Sequence, residues 1–186
     1  MPVLVLLNGA PGVGKSSVAA LLVGHRPLML ALDVDVLKHA LGRWDDDPVS
    51  AGRHARRLAL ALIREQLASG HDVVVPQYLA RTEFICDLES ACADSDSRFV
   101  ELVLVVDSSV LAERLDDRRV HPDRPEHAVN NVLVAPSDAP RLVGSVGAVL
   151  AVWPRATRID ASGPLAETLA QVLAALDRPD VIRPLR

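Results

Sequence analysis

Residues 9–16 read Gly9-Ala10-Pro11-Gly12-Val13-Gly14-Lys15-Ser16, with Ser17 following. This fits G-x-x-x-x-G-K-[ST], a loop whose backbone N–H groups cradle phosphates. Lys15 would reach the β- and γ-phosphates, and Ser16 would hold Mg²⁺. The only other lysine in the chain is Lys38, which makes an accidental Gly-Lys-Ser less expected. Asp33 and Asp35 are the next residues able to do chemistry. Transfer of a phosphoryl group to a hydroxyl needs a carboxylate that takes the hydroxyl proton and aims its oxygen at the γ-phosphate. Asp35 is assigned that role. Asp33 reads more simply as a helix cap, and could also sit near Mg²⁺. Arg118 supplies a guanidinium fork for charge that develops on the transferring group; a surface network with Asp116, Asp117 and Asp123 is the plainer alternative.

These residues need a frame that brings loop, acids and arginines to one edge. Residues 3–8 form an apolar run with the look of a buried strand, and the helix after it opens at Lys15. Residues 28–32 read as strand two, 34–41 as a short helix, and 50–70 as a long helix with Ser50 as its N-cap. Strand three is 72–75, followed by a helix over 81–93. Strand four is 99–106, followed by a helix over 108–118. Residues 119–136, rich in Pro, His and Asp, read as a lid. A helix over 137–152, strand five at 157–160 and a closing helix over 164–176 complete the chain. Apolar strands alternating with helices imply α/β structure: a three-layer, doubly wound, parallel five-stranded sheet in one domain spanning 1–186. Ligands of such sheets sit at the carboxyl ends of the strands, where the residues above fall.

The combination of glycine loop, second strand and Asp33-Val34-Asp35-Val36-Leu37-Lys38 resembles the small P-loop kinases and AAA-type ATP-binding proteins. It is similar to the chloramphenicol phosphotransferase, tunicamycin-resistance and polynucleotide 5′-hydroxyl kinase types. The resemblance implies a nucleoside- or nucleotide-kinase-like P-loop fold and Asp35 as general base. Glu113-Arg114-Leu115-Asp116-Asp117-Arg118 is similar to the run entering the lid of adenylate kinases. That likeness implies Arg114 on adenine and Arg118 on the phosphates. In similar kinases the loop containing Gly163 and Pro164 holds the adenine ring by backbone contacts; both residues also read as an ordinary strand-to-helix junction.

One position departs from the pattern. Strand three should end in an acid that helps hold Mg²⁺, yet the chain gives Val75-Pro76-Gln77-Tyr78. Gln77 can hydrogen-bond a metal-bound water but adds no charge. The acid after strand four, Asp107, reads as a cap for the next helix. The acceptor pocket is expected between Asp35 and Gln77, with Lys38, Trp44, Arg53, Tyr78 and Arg81 as walls. Trp44 beside Asp45, Asp46 and Asp47 would suit a hydroxylated, amino-bearing molecule, or would be an exposed turn.

The formal net charge is −4, with both signs interspersed. That argues against a long nucleic-acid track, which needs a basic face. Cys86 and Cys92 have no metal or disulfide pattern and read as small apolar residues. The apolar start is too short for a signal peptide and runs into the glycine loop, and no apolar run is long enough to span a membrane. A cytoplasmic location is expected. The sequence thus points to an ATP- and Mg²⁺-dependent kinase for a hydroxyl of a small, antibiotic-like or nucleoside-like molecule. Rivals are a nucleic-acid 5′-hydroxyl kinase, using Arg53, Arg56, Arg57 and Arg81 as a basic channel, and an ATP-dependent switch or ATPase with no acceptor. Oligomeric state is left open.

Overall fold

The computed structural model describes residues 1–120 and 134–178. The lid expected at 119–136 lies mostly outside them. Five parallel strands form one sheet: β1 (Val3–Gly9), β2 (Leu30–Ala31), β3 (Val73–Pro76), β4 (Arg98–Val105) and β5 (Thr157–Asp160), in the order β2-β3-β1-β4-β5. The α/β fold class expected from the sequence is the one observed. The helices are α1 (Lys15–Leu22), α2 (Val34–His39), α3 (Pro48–Ala68), α4 (Glu83–Ala93), α5 (Ser108–Val120), α6 (Ala139–Val152) and α7 (Leu165–Leu176).

β1 is apolar at every position from Val3 to Leu7 because helices cover both faces of the sheet. Val3, Val5 and Leu7 face a cluster that includes Leu22 of α1, Leu111 and Leu115 of α5 and Val172 of α7. Leu4 and Leu6 face a second cluster built from Val34 of α2, Ile63 and Leu67 of α3, and Ile85 and Leu88 of α4. The period-2 alternation of strand side chains therefore feeds two cores instead of one core and solvent. On α3, Ala55, Ala59, Ile63 and Leu67 recur every four residues and are all buried. Small residues at 55 and 59 let that helix lie close to its neighbours.

Several element ends differ by about two residues from the sequence expectation, among them the end of α2 at His39 and the start of α4 at Glu83, and two of the differences have a clear local cause. Strand two shrinks to Leu30–Ala31, because it is an edge strand paired only with β3, and Leu28 turns out of extended geometry with φ of 55°. The cap of α3 is Asp47, not Ser50: the Asp47 carboxylate accepts the Ser50 N–H at 3.0 Å, and Pro48 occupies the first turn. Proline there needs no N–H partner, so the cap sits at Asp47, three residues before Ser50.

Candidate active site

The first functional element is the glycine loop between β1 and α1. Gly9 has φ of +146°, and a Cβ there would lie 2.8 Å from the Leu104 carbonyl oxygen on β4. Gly12 has φ of +87°, and a Cβ there would meet Leu115 at 2.8 Å. Both glycines are therefore imposed by the loop's path against β4 and α5. No side chain caps the N-terminus of α1, which leaves its positive end directed at the loop's concavity. Within the loop, Val13 N–H donates to the Ala10 carbonyl at 3.2 Å.

Lys15 is buried, and its Nζ donates to the Gly9 carbonyl at 2.8 Å and the Ala10 carbonyl at 2.9 Å. Burial lowers its pKa to about 8; Asp33 and Asp35 act against that fall, and Arg118 adds to it. Lys15 therefore lies within electrostatic reach of Asp33, Asp35 and Arg118, which come from the start of α2 and from α5.

Asp33 sits at the N-cap of α2, where its Oδ1 accepts the Asp35 N–H at 2.9 Å. Its pKa is raised, chiefly by burial and in part by the neighbouring Asp35 charge. Asp35 lies in the first turn of α2, with its backbone N–H already engaged by Asp33. The two acids are thus divided by geometry: Asp33 caps the helix, and Asp35 leaves its carboxylate without a structural task of that kind.

Next to this cluster, on the side of α1, α5 and the loop after β5, lies a cavity of about 520 Å³. Gly12, Val13, Gly14 and Ser17 form one wall; Arg114 and Asp117 form another; Gly163, Pro164 and Thr168 form the third. Arg114 spans them. One Nη donates to the Val13 carbonyl and the other to the carbonyls of Ser162 and Gly163, each at 3.3 Å. The arginine joins the glycine loop to the loop after β5, and its planar fork forms part of the pocket. Thr168, Asp117 and Ser17 also line this cavity, a grouping that no local sequence motif announces.

At the end of β3, the Gln77 N–H donates to the Leu7 carbonyl at 3.0 Å. This sets Gln77 beside the root of the glycine loop, the position where the sequence pattern called for an acid. Its Oε1 is buried with no hydrogen-bond partner among the described residues, so it is an acceptor available to a ligand or its water. Asp107 is exposed, and its carbonyl accepts the Leu111 N–H at the start of α5.

The remaining wall residues are more dispersed. The Tyr78 hydroxyl is 2.8 Å from the Ser145 hydroxyl on α6. Trp44 is stacked by its own neighbours: Lys38 Nζ lies 4.7 Å from its ring centre, and the His39 ring lies 4.4 Å away. Of the acids beside it, Asp46 pairs with Arg43 and Asp47 caps α3. Arg53 donates to Ser50 at 3.2 Å, and Arg81 is exposed. Asn8, which sequence reasoning did not single out, is fully buried between the glycine loop and Leu79. Its signal was an amide in an otherwise apolar strand.

The fold matches several solved P-loop kinases. A gluconokinase from Sinorhizobium meliloti 1021 superposes with a TM-score of 0.59 at 25% identity, covering 94% of this chain and 91% of that one. The tunicamycin resistance protein of Deinococcus radiodurans gives 0.59 at 14% identity, over 95% and 96% of the two chains. The APS kinase of Mycobacterium tuberculosis gives 0.57 at 19% identity, over 95% and 98%. A search of curated proteins by sequence found no match. Among the described residues no helix is long and apolar enough to cross a membrane. The AAA domain family matches residues 4–136, which takes in the glycine loop, the Asp33–Asp35 turn and the arginines of α5, and the chain belongs to that family.

Proposed function

We propose that this protein is an ATP- and Mg²⁺-dependent kinase that phosphorylates a hydroxyl group of a small molecule. The observation that carries the reading is that Lys15, held on the glycine loop, is under the charge influence of Asp33, Asp35 and Arg118. A loop that only bound nucleotide would need the lysine; a carboxylate free of capping duty opposite that lysine is what a hydroxyl acceptor needs.

ATP would lie with its base in the cavity bridged by Arg114 and its phosphates over residues 9–17. The residues fit it: Val13, Val18, Ala161, Pro164 and Leu165 give the cavity apolar wall beside the Arg114 fork, the α1 terminus is uncapped by any side chain, and Lys15 is held at the loop. Bound Mg²⁺ would supply charge neutralisation to the phosphates, with the Ser16 hydroxyl as its protein ligand and the unpartnered Gln77 Oε1 available to a water beside it. Asp35 accepts the acceptor's proton and orients its oxygen. Lys15 leaves the carbonyls of Gly9 and Ala10 for phosphate oxygens. Arg118 adds positive charge where the transferring group becomes most negative. Catalysis is then largely positioning and electrostatics.

The acceptor class is a hydroxylated small molecule of the antibiotic-like or nucleoside-like kind. A sugar acid belongs in the same screen, since a gluconokinase is among the matching folds. The test is transfer of label from γ-labelled ATP across such a panel, with Asp35→Asn as control. Transfer should fall by at least about 10²-fold in the variant, while ATP affinity stays within a few-fold. Equal transfer by wild type and variant removes Asp35 as base.

A further inference from the structure

We propose that Asn8 is a positioning residue that couples the nucleotide loop to the acceptor-side loop 77–79. The inference rests on the reading that the glycine loop binds ATP, and extends it to how the two halves of the site communicate.

Asn8 is the only polar side chain in β1, and it is fully buried. An unpaired amide at such a site would cost several kcal/mol, so its hydrogen bonds must account for its place. All of them go to two residues. Asn8 Oδ1 accepts the Gly9 N–H at 2.8 Å and the Leu79 N–H at 2.9 Å. Asn8 Nδ2 donates to the Leu79 carbonyl at 3.3 Å. Regular pairing of β1 with β3 ends at Leu7 and Pro76, and the Gln77 N–H adds a bond to the Leu7 carbonyl. The Asn8 amide then takes over the part of a backbone strand. It engages both the donor and the acceptor of Leu79 and extends the join past the end of the sheet.

The join lies in series with the phosphate site. Leu79 is bonded to Asn8, Asn8 to the Gly9 N–H, and the Gly9 carbonyl to Lys15 Nζ at 2.8 Å. When a phosphate draws Lys15 off the Gly9 and Ala10 carbonyls, residue Gly9 is released at its carbonyl while its N–H stays bonded to Asn8. Asn8 holds the other end and passes the change to Leu79. Gln77, with its open Oε1, is two residues away along the same loop. Between them, Tyr78 is fixed to Ser145 of α6, so the loop moves as a tethered unit. Neither serine nor aspartate can replace asparagine fully. Serine is too short to reach both partners, and aspartate offers acceptors only.

The test is hydrogen exchange of the full chain with and without saturating ATP, read over 9–16 and 77–82. In wild type, ATP should slow exchange in both segments. In Asn8→Ala, ATP should slow exchange over 9–16 alone, and without ATP the Leu79 amide should exchange about tenfold faster. Asn8→Asp keeps both N–H acceptors and should recover most of the response at 77–82. A merely structural role would raise exchange throughout Asn8→Ala and leave the ATP response of the two segments linked. That result overturns the proposal. So does a wild-type chain in which ATP protects 9–16 and leaves 77–82 unchanged, a reading that needs no variant to fold. No acceptor takes part, so a failed screen for phosphoryl transfer leaves this result standing.

Discussion

Replacing Glu101 with glutamine should change how stability depends on pH, and the structure sets the size of the change. Glu101 sits in β4, opposite Leu6 of β1, and is the only buried acid among the described residues. Neither carboxylate oxygen has a partner in hydrogen-bond geometry. Against burial, the Trp153 side chain favours the ionised form most, Glu89 adds repulsion, and Arg155 adds attraction. Arg155 is itself bound to Glu89 at 3.0 Å and stacked on Trp153. Burial therefore wins, and the pKa rises from 4.5 to about 7. At about 1.4 kcal/mol for each tenfold in acidity, that rise corresponds to about 3 kcal/mol. The folded chain keeps its Glu101 proton up to about pH 7, whereas the unfolded chain releases it from about 4.5. Between these values the folded state binds more protons, so stability falls as pH rises. Glutamine cannot ionise. Its unsatisfied amide imposes a cost that is the same at every pH. Urea unfolding of both proteins from pH 5 to 8.5 should show the wild type losing about 2–3 kcal/mol relative to Glu101→Gln. Groups common to both chains cancel in the difference. Parallel stability curves, or a wild type that gains on the variant as pH rises, would refute the argument.

Two further outcomes follow from the glycine loop. Lys15 loses its charge above about pH 8 in the free protein, whereas bound phosphates would hold the proton on. ATP affinity should therefore weaken by up to about tenfold per pH unit above that point; titrations from pH 7 to 9.5 should show this in wild type and not in Lys15→Arg, and a flat wild-type profile would contradict the assigned charge state. Gly9→Ala places a Cβ 2.8 Å from the Leu104 carbonyl at φ of +146°. It should lower unfolding free energy by about 2 kcal/mol, read by urea denaturation, and weaken ATP binding; unchanged stability would mean the loop has another path open to it.

The parts of the fold that local chemistry determines were readable from the chain. The strands β1, β3 and β4, the helix phases and the glycine loop follow from apolar runs, from periodicity and from glycine's access to positive φ. Edges were harder. Leu28 and Met29 have the composition of a strand, but only a partner strand on both sides would have held them extended, and β2 has one. The cap of α3 was misplaced for a related reason: Asp47 and Ser50 are both good caps, and Pro48 at the first turn decides between them. The cavity bridged by Arg114 combines residues from 12 to 168, a juxtaposition that exists only after the sheet order is fixed. Asn8 shows the limit most clearly. Its residue type marks it as unusual in a buried strand, but its partner Leu79 is 71 positions away.

The charge balance of the site gives Gln77 a physical rationale. Before nucleotide arrives, Lys15 already has two carboxylates, Asp33 and Asp35, within electrostatic reach, and the charge of Arg118 acts on it from α5. Asp33 is already pushed toward its neutral form by burial and by Asp35. A third acid after β3, beside the root of the same loop, would add like charge next to Asp33 and Asp35 and favour their protonated forms, working against a carboxylate base. A neutral amide there keeps an oxygen acceptor without that penalty. The corresponding cost is weaker direct attraction for a divalent ion. Gln77→Glu should accordingly tighten Mg²⁺ dependence while moving the acidic limb of the transfer profile to higher pH.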